Sequence, residues 1–151
     1  MPAPPRGVCQ PNVAYGVNPR TGKDLLADLW LPPQDQARSG VGVIYVHGGA
    51  WRLGTKDMGT RPFFRRLAGQ GHVVMDIDYT LAPATDVPGM VGDVKRALIW
   101  LKQNAAAYAP LISPEIITST GMNAEDKMLQ FTYSRIGLVH SNSHDIMTFR
   151  F

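Results

Sequence analysis

The sequence predicts an α/β architecture, an antiparallel hairpin leading into a parallel sheet with helices on both faces. Two strand candidates carry this, Val41–Val46 (VGVIYV) and His72–Ile77 (HVVMDI). Both are apolar runs without alternation, the pattern of strands buried on both faces. Each is followed by a stretch with helical character, and the order strand, helix, strand, helix is that of a layered sheet.

The elements follow in order. Residues 1–12 are rich in proline and are read as lacking regular structure. Asn12–Gly16 (NVAYG) and Asp24–Leu31 (DLLADLWL) are short strands separated by VNPRTGK, a turn built from Asn, Pro and Gly. The polar loop PPQDQARSG leads into Val41–Val46, and the glycine-rich HGGAWRLGTKDMG follows. Thr60–Ala68 (TRPFFRRLA) is expected to be a helix ended by GQG, ahead of the strand His72–Ile77. After the loop DYTLAPATDVPG, Val91, Val94, Leu98 and Leu101 recur at spacings of three and four, marking one face of a helix from Val91 to Tyr108. Pro110 closes it. From Leu111 the chain has no clean period and reads as loop, with Ile136–Val139 (IGLV) as one more short buried strand.

A length of 151 residues predicts one domain with a working core, and 44% hydrophobic with 18% charged residues is a globular composition. The net charge of +3 is spread over scattered basic residues, which disfavours nucleic-acid binding. The single cysteine, Cys9, excludes an intramolecular disulfide and favours an intracellular setting. MPAPPRGVCQP lacks the apolar core of a secretory signal and no run reaches membrane-spanning length, so a cytoplasmic protein is expected.

VHGGAW, Val46–Trp51, is the most informative stretch. Consecutive glycines at the end of a buried strand let backbone N–H groups converge on one cavity, the arrangement that stabilises an oxyanion in acyl transfer. A plain glycine-rich strand-to-helix turn is the alternative. VIYVHGGAWRLGTKD followed by HVVMDIDYTLAPATDVPGMVGDVKRALIWLKQNA resembles the esterase/lipase branch of the α/β-hydrolases, the hormone-sensitive-lipase-like carboxylesterases with an HGGG or HGGAW loop and a DYRLAP segment. The resemblance covers Val13 to Tyr108 and implies the N-terminal part of such a fold. It also implies oxyanion-hole amides at Gly48, Gly49 and Ala50, with His47 and Trp51 shaping the loop. Asp78–Pro83 would hold the following loop against the site, Asp78 and Tyr79 being read as fold support. Thr80 stands where the family usually has arginine.

The family's nucleophile lies in G-x-S-x-G, and this chain has no such motif. The segment RIGLVHSNSHD is similar to the family's RIGLVGHSAGG, with a glycine deleted before His140 and with Ser143 and His144 replacing two glycines. Ser141 thus matches the nucleophile position in a degraded elbow, and a serine in an irregular tail is the alternative. His140, His144 and Asp145 are too close in sequence to serve as independent base and orienter, so a complete triad is not expected within this chain. A metal site in HSNSHD lacks a partner ligand cluster, and neither metal nor cofactor is expected.

The expected organisation is residues 1–111 as the N-terminal part of an α/β-hydrolase domain and 112–151 as a divergent or poorly ordered tail. The expected function is hydrolysis of a small-molecule carboxylic ester, with a truncated or rearranged, catalytically inactive form as the alternative. An uncovered sheet edge would favour self-association.

Overall fold

The computed structural model describes residues 7–108, 115–120 and 130–135. Its elements are β1 (Val8–Val17), β2 (Asp24–Leu31), β3 (Val41–Val46), α1 (Arg61–Gly69), β4 (Val73–Ile77), α2 (Val87–Tyr108), β5 (Glu115–Thr120) and β6 (Gln130–Arg135). They form a six-stranded sheet in the order β1-β2-β4-β3-β5-β6. β3 lies parallel to β4 and to β5, whereas β1 with β2, β2 with β4, and β5 with β6 are antiparallel.

Alternate residues of the central strands feed two separate cores. Leu29, Ile44, Met75 and Ile77 pack with Ala97 and Leu101 of α2. Trp30, Val43, Tyr45 and Val74 pack with Phe64 and Ala68 of α1. Because successive side chains of a strand point to opposite faces, α1 and α2 cover opposite faces of the sheet. β3 and β4 are therefore enclosed on both faces, as their largely apolar sequences require.

Phe64 anchors the α1 face. It is fully buried, lies 5.0 Å from the Tyr45 ring in an edge-on arrangement and 6.2 Å from the Trp30 ring. Phe64→Ala is expected to destabilise the chain by about 3–5 kcal/mol, through lost burial and the cavity left behind. A urea titration followed by circular dichroism checks this, and a loss below about 1 kcal/mol, no more than an ordinary surface change gives, would contradict it.

The loop-to-helix transitions follow from local chemistry. α1 has Pro62 in its first turn, where a missing N–H costs nothing, and closes with Gly71 N–H donating to Ala68 O and His72 N–H to Leu67 O. α2 begins four residues before the expected Val91. The Asp86 carboxylate accepts the Gly89 N–H at 3.0 Å, capping the helix, and Pro88 sits in its first turn. Its buried side is carried by Met90, Asp93, Ala97 and Leu101, with Val91, Val94 and Leu98 half-buried.

Three other expectations are corrected. β1 starts at Val8, inside the proline-rich leader, because Val8, Cys9 and Gln10 pair with Leu31, Trp30 and Leu29 despite Pro11. β4 starts at Val73, and the His72 ring is bonded to the Ser39 hydroxyl at 2.7 Å instead. The stretch after Leu111 read as loop contains β5 and β6. Both are rich in strand-forming residues (Ile116, Ile117, Thr118 and Thr120 in β5; Phe131, Thr132 and Tyr133 in β6), a signal masked by interspersed polar residues. The expected strand Ile136–Val139 lies outside the described residues.

Candidate active site

The HGGAW loop leaves the carboxyl end of β3, and Asp78–Pro83 leaves the carboxyl end of its neighbour β4. Open α/β sheets bind ligands at this end.

Gly49 begins a tight turn. Its carbonyl accepts the N–H groups of Arg52 and Leu53, both at 3.0 Å. Its φ is 125°, and a Cβ there would lie 1.9 Å from the Leu53 carbonyl oxygen, so only glycine fits. Ala50 and Trp51 continue in the left-handed region at φ 51° and 61°. Among the described residues, the N–H groups of Gly48, Gly49 and Ala50 donate to no acceptor. Gly54 is also confined, since a Cβ would sit 2.5 Å from His47 Nδ1 and 2.7 Å from Gly48 O. The two ends of the loop are thus pressed directly together.

His47 is buried. Its Nδ1 is bonded to Gly48 O at 2.7 Å, and its ring stacks on Tyr79 at 4.6 Å between centroids. The Tyr79 hydroxyl donates to the His47 carbonyl at 3.0 Å. His47 Nε2 has no hydrogen-bond partner among the described residues and lies 3.9 Å from Asp78 Oδ1. His47 is thus enclosed at the start of the loop, whereas Trp51 is half-exposed and its carbonyl accepts the Ala82 N–H at 2.9 Å.

The far half of the loop is seated on carboxylates of the sheet. Asp78 accepts the Thr55 hydroxyl at 2.9 Å and the Lys56 N–H. Asp76 Oδ2 accepts the Asp57 N–H at 2.8 Å, and Lys56 Nζ pairs with Asp28 at 2.8 Å. Asp28 also accepts the Asn12 N–H at 3.0 Å. The Tyr15 hydroxyl donates to the Asp78 carbonyl at 2.9 Å, and burial pushes its pKa above the ordinary phenol range. Asp78 and Tyr79 thus bond to the loop through their side chains.

Asp93 of α2 ties the rim together. Fully buried, it accepts the Asn18 amide at 3.0 Å, the Thr80 N–H at 3.0 Å and Arg96 Nη1 at 3.2 Å. The Thr80 segment, which lacks the family's arginine, is held by its backbone. A cavity of about 230 Å³ lies between the β1–β2 turn and the start of α2, but none of the HGGAW residues lines it. Its two arginines are already paired, Arg20 with Asp86 and Arg96 with Asp93.

Asp28, Asp76 and Asp93 were missed by sequence reading. A charged residue inside an apolar strand, as in DLLADLWL or HVVMDI, was the available signal. Ser141, with His140, His144 and Asp145, lies outside the described residues. The strand that follows α2 and runs parallel to β3 is Glu115–Thr120, not the one expected to lead into Ser141. Among the described residues no group of three or more His, Cys, Asp or Glu could hold a metal ion, and no helix is long and apolar enough to cross a membrane.

Burial pushes the Asp76 carboxyl up from 3.8 to about 7, with Asp28 and Asp78 adding to the rise. The folded chain therefore binds a proton between about pH 4 and 7 that the unfolded chain has lost. Stability from this group is present at low pH and falls as pH rises through that window, by roughly 4 kcal/mol at most. Asp76→Asn is expected to flatten the pH dependence of urea unfolding between pH 5 and 8, a range that brackets the upper part of the window. An unchanged slope would contradict the assignment.

The family model described as BD-FAE matches residues 27–128, which run from within β2 through β5 and include both loops. The chain belongs to the BD-FAE family. BD-FAE proteins are α/β-hydrolase esterases, and the matched region is the N-terminal portion of that fold. The chain is similar to the esterase LipQ of Mycobacterium tuberculosis, 34% identical over 114 residues that make up 75% of this chain and 26% of LipQ. It is also similar to a probable isoprenylcysteine alpha-carbonyl methylesterase of Oryza sativa subsp. japonica, 32% identical over 141 residues, or 93% of this chain and 31% of that protein. Among solved structures, it resembles esterase Est2 of Thermogutta terrifontis with a TM-score of 0.60 at 26% identity, over 72% of this chain and 38% of the other. The BD-FAE chain thus spans about a quarter to a third of the length of these curated relatives.

Proposed function

We propose that this chain carries the oxyanion-stabilising half of a carboxylic-ester hydrolase acting by acyl transfer. The observation behind it is the set of three backbone N–H groups, Gly48, Gly49 and Ala50, without acceptors among the described residues at the carboxyl end of a buried parallel strand. The tetrahedral intermediate of ester cleavage concentrates charge on the former carbonyl oxygen, and fixed donors there lower the barrier. His47 and Tyr79 hold the turn so that these donors need no reorganisation. Relatives named as esterases support this reading. Ser141 is the proposed nucleophile position, by resemblance. The substrate is a small ester, and the lone Cys9 supports an intracellular, cytoplasmic setting.

Hydrolysis of a short-chain aryl ester by the purified chain, together with serine labelling by a fluorophosphonate probe, tests this. Both are expected to disappear in Ser141→Ala. Activity surviving Ser141→Ala would overturn that residue's role. Failure of the probe to label any serine would favour a catalytically inactive chain.

Self-association is proposed to use the β6 edge. The opposite edge, β1, is interrupted by Pro11 and two register shifts that blunt strand pairing. Sedimentation velocity across a concentration series should show a rising mass. A constant monomer mass would exclude it.

A further inference from the structure

We propose that Asp76 is a positioning residue for the Gly48–Ala50 amides, coupling them to the sheet through Lys56 and Asp57 so that its charge state sets how the loop is seated. This deepens the oxyanion reading of those amides and rests on it.

Asp76 lies on the α1 face of β4, as alternation with Val74 requires. It is only 1% exposed and directly opposite Asp28 in the β2–β4 register. One oxygen holds the Asp57 N–H, and the other, Oδ1, is buried with no hydrogen-bond partner among the described residues. An unmatched buried carboxylate oxygen beside a second buried carboxylate is costly unless a proton or a cation answers it. The groups around Asp76 are Asp28 on β2, Tyr45 on β3, Asp78 just past β4, and Lys56 and Asp57 on the loop, with Arg61 at the start of α1 and Cys9 on β1 beside Asp28. Arg61 is engaged by the Asp57 carboxylate, which leaves Lys56, among the described residues, as the cation within this seat.

Lys56 is committed to Asp28. When Asp76 is protonated that pairing is uncontested. Ionised Asp76 competes with Asp28 for the same ammonium, pulling on the residues that follow Gly54. A Cβ on Gly54 would collide with the His47 ring and Gly48 O, and one on Gly49 with the Leu53 carbonyl, so the backbone approaches closely at both points. Displacement of Lys56 is passed through these close approaches to the amide-bearing turn.

The test is a pH titration of the isotope-labelled chain by NMR, following the Asp76 carboxyl carbon, the amides of Gly48, Gly49 and Asp57, and the His47 ring. The Asp76 carbon and the three amides are expected to move together near pH 7, where the folded carboxyl titrates. Asp76→Asn keeps the bond to Asp57 N–H and should remove that shared transition. Asp28→Asn should lower the midpoint and Lys56→Met should raise it, because Asp28 disfavours and Lys56 favours the ionised form. Should Asp76→Asn fail to fold, these two opposite shifts decide the matter. Glycine amides that follow only the His47 ring, or that keep their transition in Asp76→Asn, would overturn the proposal. A coupled titration in a chain without ester hydrolysis upholds the positioning and overturns only the catalytic reading.

Discussion

Gly49→Val is expected to lower ester hydrolysis by about 10²–10³-fold or more, the cost of losing one oxyanion donor, while the chain stays folded. The glycine occupies φ 125°, and any Cβ would approach the Leu53 carbonyl oxygen to 1.9 Å. Relief requires opening the Gly49–Leu53 turn, which breaks the two hydrogen bonds accepted by the Gly49 carbonyl. That turn carries the Gly49 and Ala50 amides, so opening it displaces them. Neither core cluster includes a residue of this turn, so global unfolding should change far less than activity. Steady-state kinetics beside a urea titration separate the two effects. Undiminished hydrolysis in a folded Gly49→Val chain would remove these amides from the chemistry.

Asp93→Ala is expected to cost about 3–5 kcal/mol, the scale seen when one member of a buried charged network is deleted. The variant leaves the buried Asn18 amide and the Thr80 N–H without their acceptor and frees Arg96. Each unsatisfied buried donor costs about 1–3 kcal/mol. Because Asp93 joins the β1–β2 turn, the Asp78–Pro83 loop and α2, loss of activity should accompany loss of stability. Asp93→Asn keeps an acceptor but brings a second amide toward Asn18, so it should fall between parent and alanine variant. A thermal transition unchanged in Asp93→Ala would show that the network contributes nothing.

Local chemistry explains what could be read along the chain. β2 and β3 occupy the expected spans, Asp24–Leu31 and Val41–Val46, because each is a dense apolar run bounded by turn residues. α1 is displaced by one residue only, since PFFRRLA combines a first-turn proline with a continuous helical face. The start of α2 was misplaced because Pro88 and Gly89 suggest a loop unless the Asp86 cap is recognised. β5 escaped notice because its pairing with β3 is non-local: Glu115–Thr120 is a strand by virtue of lying against Val41–Val46, some seventy residues earlier.

The site divides in the same way. The HGGAW turn is legible because glycine placement is a property of neighbouring residues, and the turn's φ values and the two bonds to the Gly49 carbonyl are set within five residues. Its seat is not legible. Asp28, Asp76 and Asp78 meet Thr55, Lys56 and Asp57 only when β2 and β4 pair and the loop folds back over their ends. In the strings DLLADLWL and HVVMDI, an aspartate is merely an interruption. By itself, then, the order of residues determined the strand-and-helix succession, the burial of the parallel strands and the glycine turn, all governed by short-range sterics and hydrophobic pattern. Tertiary structure alone decided which carboxylates hold that turn and which of them keeps a proton near neutrality, because burial and charge proximity exist only once distant strands lie side by side.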